Sequence, residues 1–442
     1  MLNASNFFLY KSNTGINLLI QPINLIDIID VSVIVKSGSL NDNECCYGLA
    51  HLLEHMIFKG SKNYPNNIIS TLDTLGAYFN AYTSFESTGY KINGLTMYFE
   101  QFLSILVDMF YNALLDSNHI ENEKNIVIEE LNNDSTRVLR ILEYKLNSML
   151  SINTKKHYNI PIIGFEKNIR EITPSILKEY KNKYYCNENS LFIIKGDITI
   201  KLLNIIEKVF STILQTSVVF NKYEYNASVL DNSIYYVSIT NSIKLKDRYF
   251  FLIDKGDNYY VSICFPSYKK FSSNIDIIHI LSIILAGNLT SYIPKILREK
   301  YGISYSQGYK HINYDVYGAF ILYAYTSKPY NAILLILSIL KELLIIGINE
   351  SDLINARNTY LTQQILTYQN INSDIMAEEI LYKTKINKID DIKNTCNKIT
   401  VDDINNILLN IVNKKYLYIL ASGPTKLKLK FIKKILNKFA KE

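Results

Sequence analysis

The 442-residue chain contains no tryptophan, and it is sparing with cysteine, histidine and proline, at five, six and eight residues. Five is an odd number of cysteines, and Cys45, Cys46, Cys186, Cys264 and Cys396 follow no CxxC-type spacing. That argues against a disulfide framework and a cysteine-built metal site, and fits reduced thiols in a cytosol-like compartment. Cys45 and Cys46 stand just ahead of the motif described below. A plain loop role is expected for them, with a regulatory or metal-capturing role as the alternative. No uninterrupted apolar run reaches the roughly 18 to 20 residues a membrane helix needs. The nearest, "NAILLILSILKELLIIGI" from Asn331, is broken by Lys341 and Glu342 and reads as a core-facing helix. No membrane span is therefore expected. The net charge of +6 comes from Lys and Arg spread along the chain rather than collected into a stripe, which argues against a nucleic-acid groove. The start, "MLNASNFFLYKSNTGINLLIQP", has neither the basic-then-apolar order of a secretory signal nor the arginine-rich character of a transit peptide. The expected residence is the cytoplasm, with the mitochondrial matrix as the alternative. The abundance of Asn, Ile and Lys, with 35 Tyr, reads as a pressure on nucleotide composition and carries no functional code.

Within this ordinary composition, 48% hydrophobic and 20% charged, one order of elements occurs twice. In the first half "DVSVIVKSGS" alternates as a strand and leads to "GLAHLLEHMIFKG", a helix. A strand pair, "GAYFNAYTSFESTGYKINGL", follows, and then one long amphipathic run, "FEQFLSILVDMFYNALLDSNHIENEKNIVIEEL". In the second half "YYVSICFPSY", "DIIHILSIILAGNLTSYIPKILREKYG", "YSQGYKHINYDVYGAFILYAYT" and "YNAILLILSILKELLIIGINESDLINARNTYL" repeat it. An internal duplication of a whole domain explains this, since the unit is far longer than a solenoid repeat. The expected domains are residues 1–215 and 233–442, joined by a linker at 216–232 where helical periodicity gives way to Asn-rich sequence. The expected class is α+β, two homologous domains each with a mostly antiparallel sheet packed with long helices.

The chemistry concentrates at residues 48 to 60. His51 and His55 are four apart, so on a helix they share a face and can aim ring nitrogens at one zinc ion, about 2.0 to 2.1 Å away. Glu54 sits between them, giving HxxEH, the inverse of the commoner HExxH. Three polar side chains on a solvated helix face are the plain alternative. Against it, two of only six histidines fall at helical spacing around a Glu, and the flanks "GLA" and "MIFKG" imply a packed helix, where polar groups need partners.

"GLAHLLEHMIFKGS", then "LGAYFNAYTSFESTGY" and "ENEKNIVIEEL", resemble the pitrilysin, insulinase and mitochondrial processing peptidase family of inverted-motif zinc peptidases, in particular its half-length members. The resemblance extends through "YYCNENSLFIIKGDI" to the second half, and so covers the chain from end to end. It implies one zinc ion per chain, held by His51, His55 and a third ligand, Glu130, which lies 75 positions after His55. Glu129 would face away by about 100° on a helix. It also implies Glu54 as the general base on zinc-bound water and Glu123, two turns before Glu130, as a supporting carboxylate that orients the ligands or assists the reaction. "LREKYGISYS" supplies Arg298 and Tyr305, matching the family's pair over the substrate. "FNAYTS" matches the segment offering a sheet edge to an extended peptide, so Asn80 and Ala81, with Phe79 and Tyr82, become candidates for substrate binding. "AGNLTSYIPKIL" has fewer glycines than the family usually shows there, which bears on substrate preference rather than chemistry.

The implied function is a zinc metalloendopeptidase that hydrolyses peptides in a closed chamber, each chain being half of a clamshell completed by a homodimer partner or a related subunit. In that arrangement Arg298 and Tyr305 reach the opposing half's zinc. A processing peptidase removing targeting segments, and a non-catalytic scaffold subunit of a larger complex, are the alternatives. The full set of His51, Glu54, His55 and Glu130 weighs against the scaffold.

Overall fold

In the computed structural model the strand-forming runs pair into two sheets, each inside its own compact unit. The structure describes residues 7–23, 27–65, 68–133, 137–151, 156–196, 201–223, 248–369, 374–382 and 389–440. The first unit comprises residues 1–133, 160–229 and 368–388, and the second comprises 134–159, 230–367 and 389–442.

The first sheet contains β1 (Phe8–Ser12), β2 (Asn17–Pro22), β3 (Ile28–Val35), β4 (Tyr78–Thr83), β5 (Thr88–Leu95), β6 (Ser190–Gly196) and β7 (Phe220–Lys222), in the order β4-β5-β3-β6-β2-β1-β7. Only β2 and β6 run parallel. The second contains β8 (Tyr249–Ile253), β9 (Tyr259–Ser267), β10 (Ser304–Asn313), β11 (Gly318–Thr326) and β12 (Tyr418–Gly423), in the order β10-β11-β9-β12-β8, with β8 and β12 its one parallel pair. Read strand for strand from the β4 edge, the first five positions of the first sheet match the second in order and direction. The architecture is α+β with two homologous domains, as the repeated pattern implies.

Both faces of the first sheet are covered, which explains why β3, "IIDVSVIV", reads as an almost continuous apolar run. Val31, Val33 and Val35 face the large core with helices Leu49–Ile57 and Phe99–Asn112. Ile34, with Leu9, Leu19, Leu191 and Ile193, faces Ala377 and Ile380 of helix Asp374–Leu381. The second sheet is covered in the same manner by helix Arg137–Leu150, whose Leu139, Leu142 and Leu146 lie over Tyr260, Cys264 and Leu420. These two helices cross the division expected at 1–215 and 233–442: residues 134–159 belong with the second sheet, and 368–388 with the first. A sheet with two apolar faces needs a second cover, and each half of the sequence supplies the other's. The stretch 216–232 expected as a linker includes β7, paired with β1; its residues 224–232 lie outside those described.

The long run after β5 forms two helices, Phe99–Asn112 and Ser117–Asn132, rather than one. Leu115 turns left-handed at φ 50°, and Asp116 caps the second helix by accepting the Asn118 N–H at 3.0 Å. Its counterpart breaks likewise at Gly347, φ 77°, between Pro329–Ile346 and Glu350–Gln369. Pro329–Ile346 is long and apolar enough to cross a membrane on length and composition alone. Its Ala332, Ile333, Ile336, Leu337 and Leu340 are buried in the second core, where a core-facing helix was expected.

Candidate metal centre

Helix Leu49–Ile57 buries Leu49, Ala50, Leu52, Leu53, Met56 and Ile57, which leaves His51, Glu54 and His55 together on its remaining face. Its start is built tightly. Gly48 sits at φ 96°, and a Cβ there would stand 2.5 Å from the Ile163 carbonyl oxygen, so only glycine fits. The Asp42 carboxylate accepts the N–H groups of Gly48 at 2.8 Å, Leu49 at 3.1 Å and Ala50 at 3.0 Å, satisfying donors that a helix end leaves open. Burial pushes the Asp42 carboxyl up to about 7, opposed by those three N–H groups.

Helix Ser117–Asn132 packs against this face. The Glu130 carboxylate Oε2 lies 3.7 Å from His51 Nε2 and 3.8 Å from His55 Nε2, and one ligand atom from each residue falls within 4.8 Å of the others. Ligand atoms about 2.0 to 2.1 Å from a tetrahedral zinc stand about 3.3 Å apart, so the two Glu130–histidine distances need to close by a few tenths of an ångström and the widest pair by about 1.5 Å. Two neutral imidazoles and a carboxylate are a donor set zinc accepts. The half-exposed Glu130 leaves the outer side open to solvent. Glu129 is exposed and outside this group, and among the described residues no other such group of His, Cys, Asp and Glu forms.

Glu123 is buried and reaches His55 Nδ1 with Oε2 at 3.3 Å, while its Oε1 pairs with Lys59 Nζ at 2.8 Å. A carboxylate on Nδ1 fixes the proton there and leaves Nε2 free to ligate. Glu54 accepts a hydrogen bond from the Thr83 hydroxyl at 2.7 Å. Burial raises the Glu54 carboxyl above the usual range, partly offset by the Thr83 bond and by His55.

Thr83 ends β4, which carries Phe79, Asn80, Ala81 and Tyr82 and lies at the edge of the first sheet. Its partner on one side is β5, with Asn80 opposite Lys91 and Ala81 opposite Tyr90. Phe79 packs against Phe58 with the ring centres 5.8 Å apart and the rings tilted, just past the metal-bearing helix, so this edge adjoins the histidines.

Arg298 and Tyr305 belong to the second unit and meet there, the guanidinium carbon 4.8 Å above the phenol ring. Tyr305 is 81% exposed and sits where the β10 register slips between Ser304 and Ser306, a bulge that turns its side chain outward. Arg298 also pairs with Glu299 at 3.3 Å. In the helix of the second unit equivalent to Leu49–Ile57, Ile275–Ala286, the polar positions are used internally. Ser282 Oγ lies 2.6 Å from His311 Nε2, the Tyr360 hydroxyl donates to Asp276 at 2.6 Å, and His279 stacks on Tyr360. Desolvation pulls His311 down to about 3 and lowers His279 also.

Sequence reading did not single out Asp42, Lys59 or Thr83. Asp42 has a local signal, an acidic residue ahead of a Gly-started apolar helix. Lys59 has one too, one turn after His55. Thr83 has none, because its contact depends on how β4 is laid beside the helix.

Residues 25–161 match the family model described as insulinase (peptidase family M16), and residues 171–360 match that of the peptidase M16 inactive domain. An uncharacterized zinc protease of Bacillus subtilis is 23% identical over 422 residues, covering 93% of this chain and 97% of its own. The mitochondrial cytochrome b-c1 complex subunit 1 of Bos taurus is 27% identical over 183 residues, 41% of this chain and 38% of its own. Among solved structures, the periplasmic protease PqqL of Escherichia coli shares the fold, with a TM-score of 0.77 at 17% identity. That likeness covers 99% of this chain and 50% of PqqL.

Proposed function

We propose, from the premise that the chain belongs to the insulinase (M16) peptidase family, that it is a zinc-dependent endopeptidase acting on peptides or unfolded segments. The observation that carries the reading is the convergence of His51, His55 and Glu130 beside a half-buried Glu54. His51, His55 and Glu130 would hold the ion, which would supply Lewis-acid activation of a water and of the scissile carbonyl. Glu54 takes the proton from the attacking water and returns it to the leaving amine. A carboxyl raised by desolvation suits that exchange, and the Thr83 hydroxyl holds one of its oxygens in place. Glu123 orients His55 and is itself neutralised by Lys59. The β4 edge around Asn80 and Ala81, flanked by Phe79 and Tyr82, receives an extended substrate by strand addition. Arg298 and Tyr305 bind the substrate or its developing oxyanion from a partner copy, so that a homodimer, or a heterodimer with a related subunit, completes each site. Coverage of half of PqqL supports a paired arrangement. The five free thiols support a cytoplasmic location.

A processing peptidase would use the same residues on narrower substrates. A scaffold subunit is the second reading, favoured by the partial match to a cytochrome b-c1 subunit. Metal analysis with cleavage of a quenched peptide separates them, comparing the native chain with Glu54→Gln. Metal retained and cleavage lost in the variant is the expected result. A native chain that cleaves nothing, alone or with its partner, overturns the enzyme reading.

A further inference from the structure

The turn leading into the metal-bearing helix holds two thiols side by side. Cys45 Sγ lies 3.3 Å from Cys46 Sγ, the first exposed and the second sealed in the core of the first unit. We propose that Cys45 and Cys46 close a reversible vicinal disulfide in response to a peroxide, and that closure loosens the adjoining metal site. Disulfide formation stands on the sulfur geometry alone; the effect on metal rests on the zinc-peptidase reading.

The steps balance without any other reactant. The peroxide transfers one oxygen to Cys45, giving a sulfenic acid and water or an alcohol. The Cys46 sulfur then attacks that of Cys45, and the sulfenic oxygen leaves as water with the Cys46 proton. Two thiols lose two electrons and two protons, and the peroxide bond is reduced. Burial pushes the Cys46 thiol up to about 12 and keeps it protonated, so the oxidant meets the exposed Cys45 first.

Cα atoms joined by a trans peptide stand about 3.8 Å apart, short of the roughly 4.4 to 6.8 Å that disulfides usually span. The ring is therefore strained, and strained, accessible disulfides are the readily reduced, regulatory kind. The turn passes that strain directly to the helix. The Cys46 N–H donates to the Asn43 carbonyl at 2.8 Å, and its own carbonyl accepts the Leu49 N–H at 3.1 Å. The Cys45 carbonyl accepts from the Asn168 side chain at 2.8 Å. Asp42, one residue before Asn43, caps Gly48, Leu49 and Ala50, and His51 is the next residue. A shifted turn disturbs the cap and the first turn that aims His51.

The test titrates the reduced full-length protein with hydrogen peroxide and weighs the tryptic peptide Ser37–Lys59. The expected product is two hydrogens lighter, is restored by dithiothreitol, and is absent from both Cys45→Ala and Cys46→Ala. A peptide that instead gains two oxygens on Cys45 while Cys46 stays alkylatable overturns the proposal. In a second arm, zinc transfer to a chelator is timed for both forms, and the oxidised protein is expected to release it about tenfold faster. Equal rates refute the coupling. If the reduced protein holds no zinc, the peptidase reading fails and the coupling with it, while the mass measurement still decides the disulfide.

Discussion

Glu123→Gln separates a side chain that orients a ligand from one that is a ligand. In the structure Glu123 touches His55 Nδ1 at 3.3 Å and Lys59 at 2.8 Å and lies outside the His51, His55 and Glu130 group. Glutamine keeps the length and can still accept from Nδ1–H, so the change removes mainly the negative charge that strengthens His55 as a donor. Partners of this kind are worth about 10- to 100-fold in metal affinity, or about 1.4 to 2.8 kcal/mol. Competition against a chromophoric chelator at neutral pH reads that loss directly, with Glu130→Gln as the variant that loses the metal site itself. Lys59→Met provides the complement: it removes the cation from a buried carboxylate that keeps only its His55 contact, and is expected to cost about 1.5 to 3 kcal/mol of folding stability in urea. If Glu123→Gln binds zinc within a factor of about three of the native chain, smaller than the effect of such partners, the claim that Glu123 acts through His55 is refuted.

Asp42→Ala leaves the Gly48 and Ala50 N–H groups without their acceptor, Leu49 keeping the Cys46 carbonyl, and is expected to lower the urea-unfolding free energy by about 2 kcal/mol, with faster zinc loss; unchanged stability would contradict the capping role. Acid should weaken the fold through His311. Its imidazole is neutral in the folded chain down to about 3, whereas the unfolded chain takes up a proton below about 6.5, so stability is lost as pH falls through that window. Between pH 7 and pH 5 the loss is about 2 kcal/mol, and His311→Phe should flatten it in urea melts at the two pH values. A slope unchanged by that substitution would exclude His311 as its source. Arg298→Ala is expected to reduce kcat/KM for a quenched peptide by about 100-fold with zinc content unchanged; full activity would remove Arg298 from the reaction.

Parts of this molecule were legible because local spacing and long-range geometry agree. Four residues of separation put His51 and His55 on one helix face whatever the fold, and seven put Glu123 and Glu130 on another. The repeated order of strands and helices likewise carried the shared sheet topology. Other parts depend on packing that spacing does not encode. The amphipathic run after β5 has unbroken apolar periodicity across Leu115, so its division there became visible only with the backbone reversal and the Asp116 cap. Helix Arg137–Leu150 shows an apolar face without showing which sheet it covers, and so the division at 216–232 missed that segments 134–159 and 368–388 change sides. Thr83 meets Glu54 only because β4 runs along the edge nearest the helix.

The helices that change sides have a consequence for how the chain matures on the ribosome. Synthesis delivers Arg137–Leu150 well before any strand of the sheet it covers exists, and it withholds Asp374–Leu381 until nearly the whole polypeptide has emerged. The nascent amino-terminal portion therefore waits with Leu9, Leu19, Ile34, Leu191 and Ile193 bare on one side, an invitation to aggregation that a holdase would shield. A gene severed between residues 215 and 233 would yield two fragments, each carrying the piece the other lacks, and neither is expected to mature unless both are translated together.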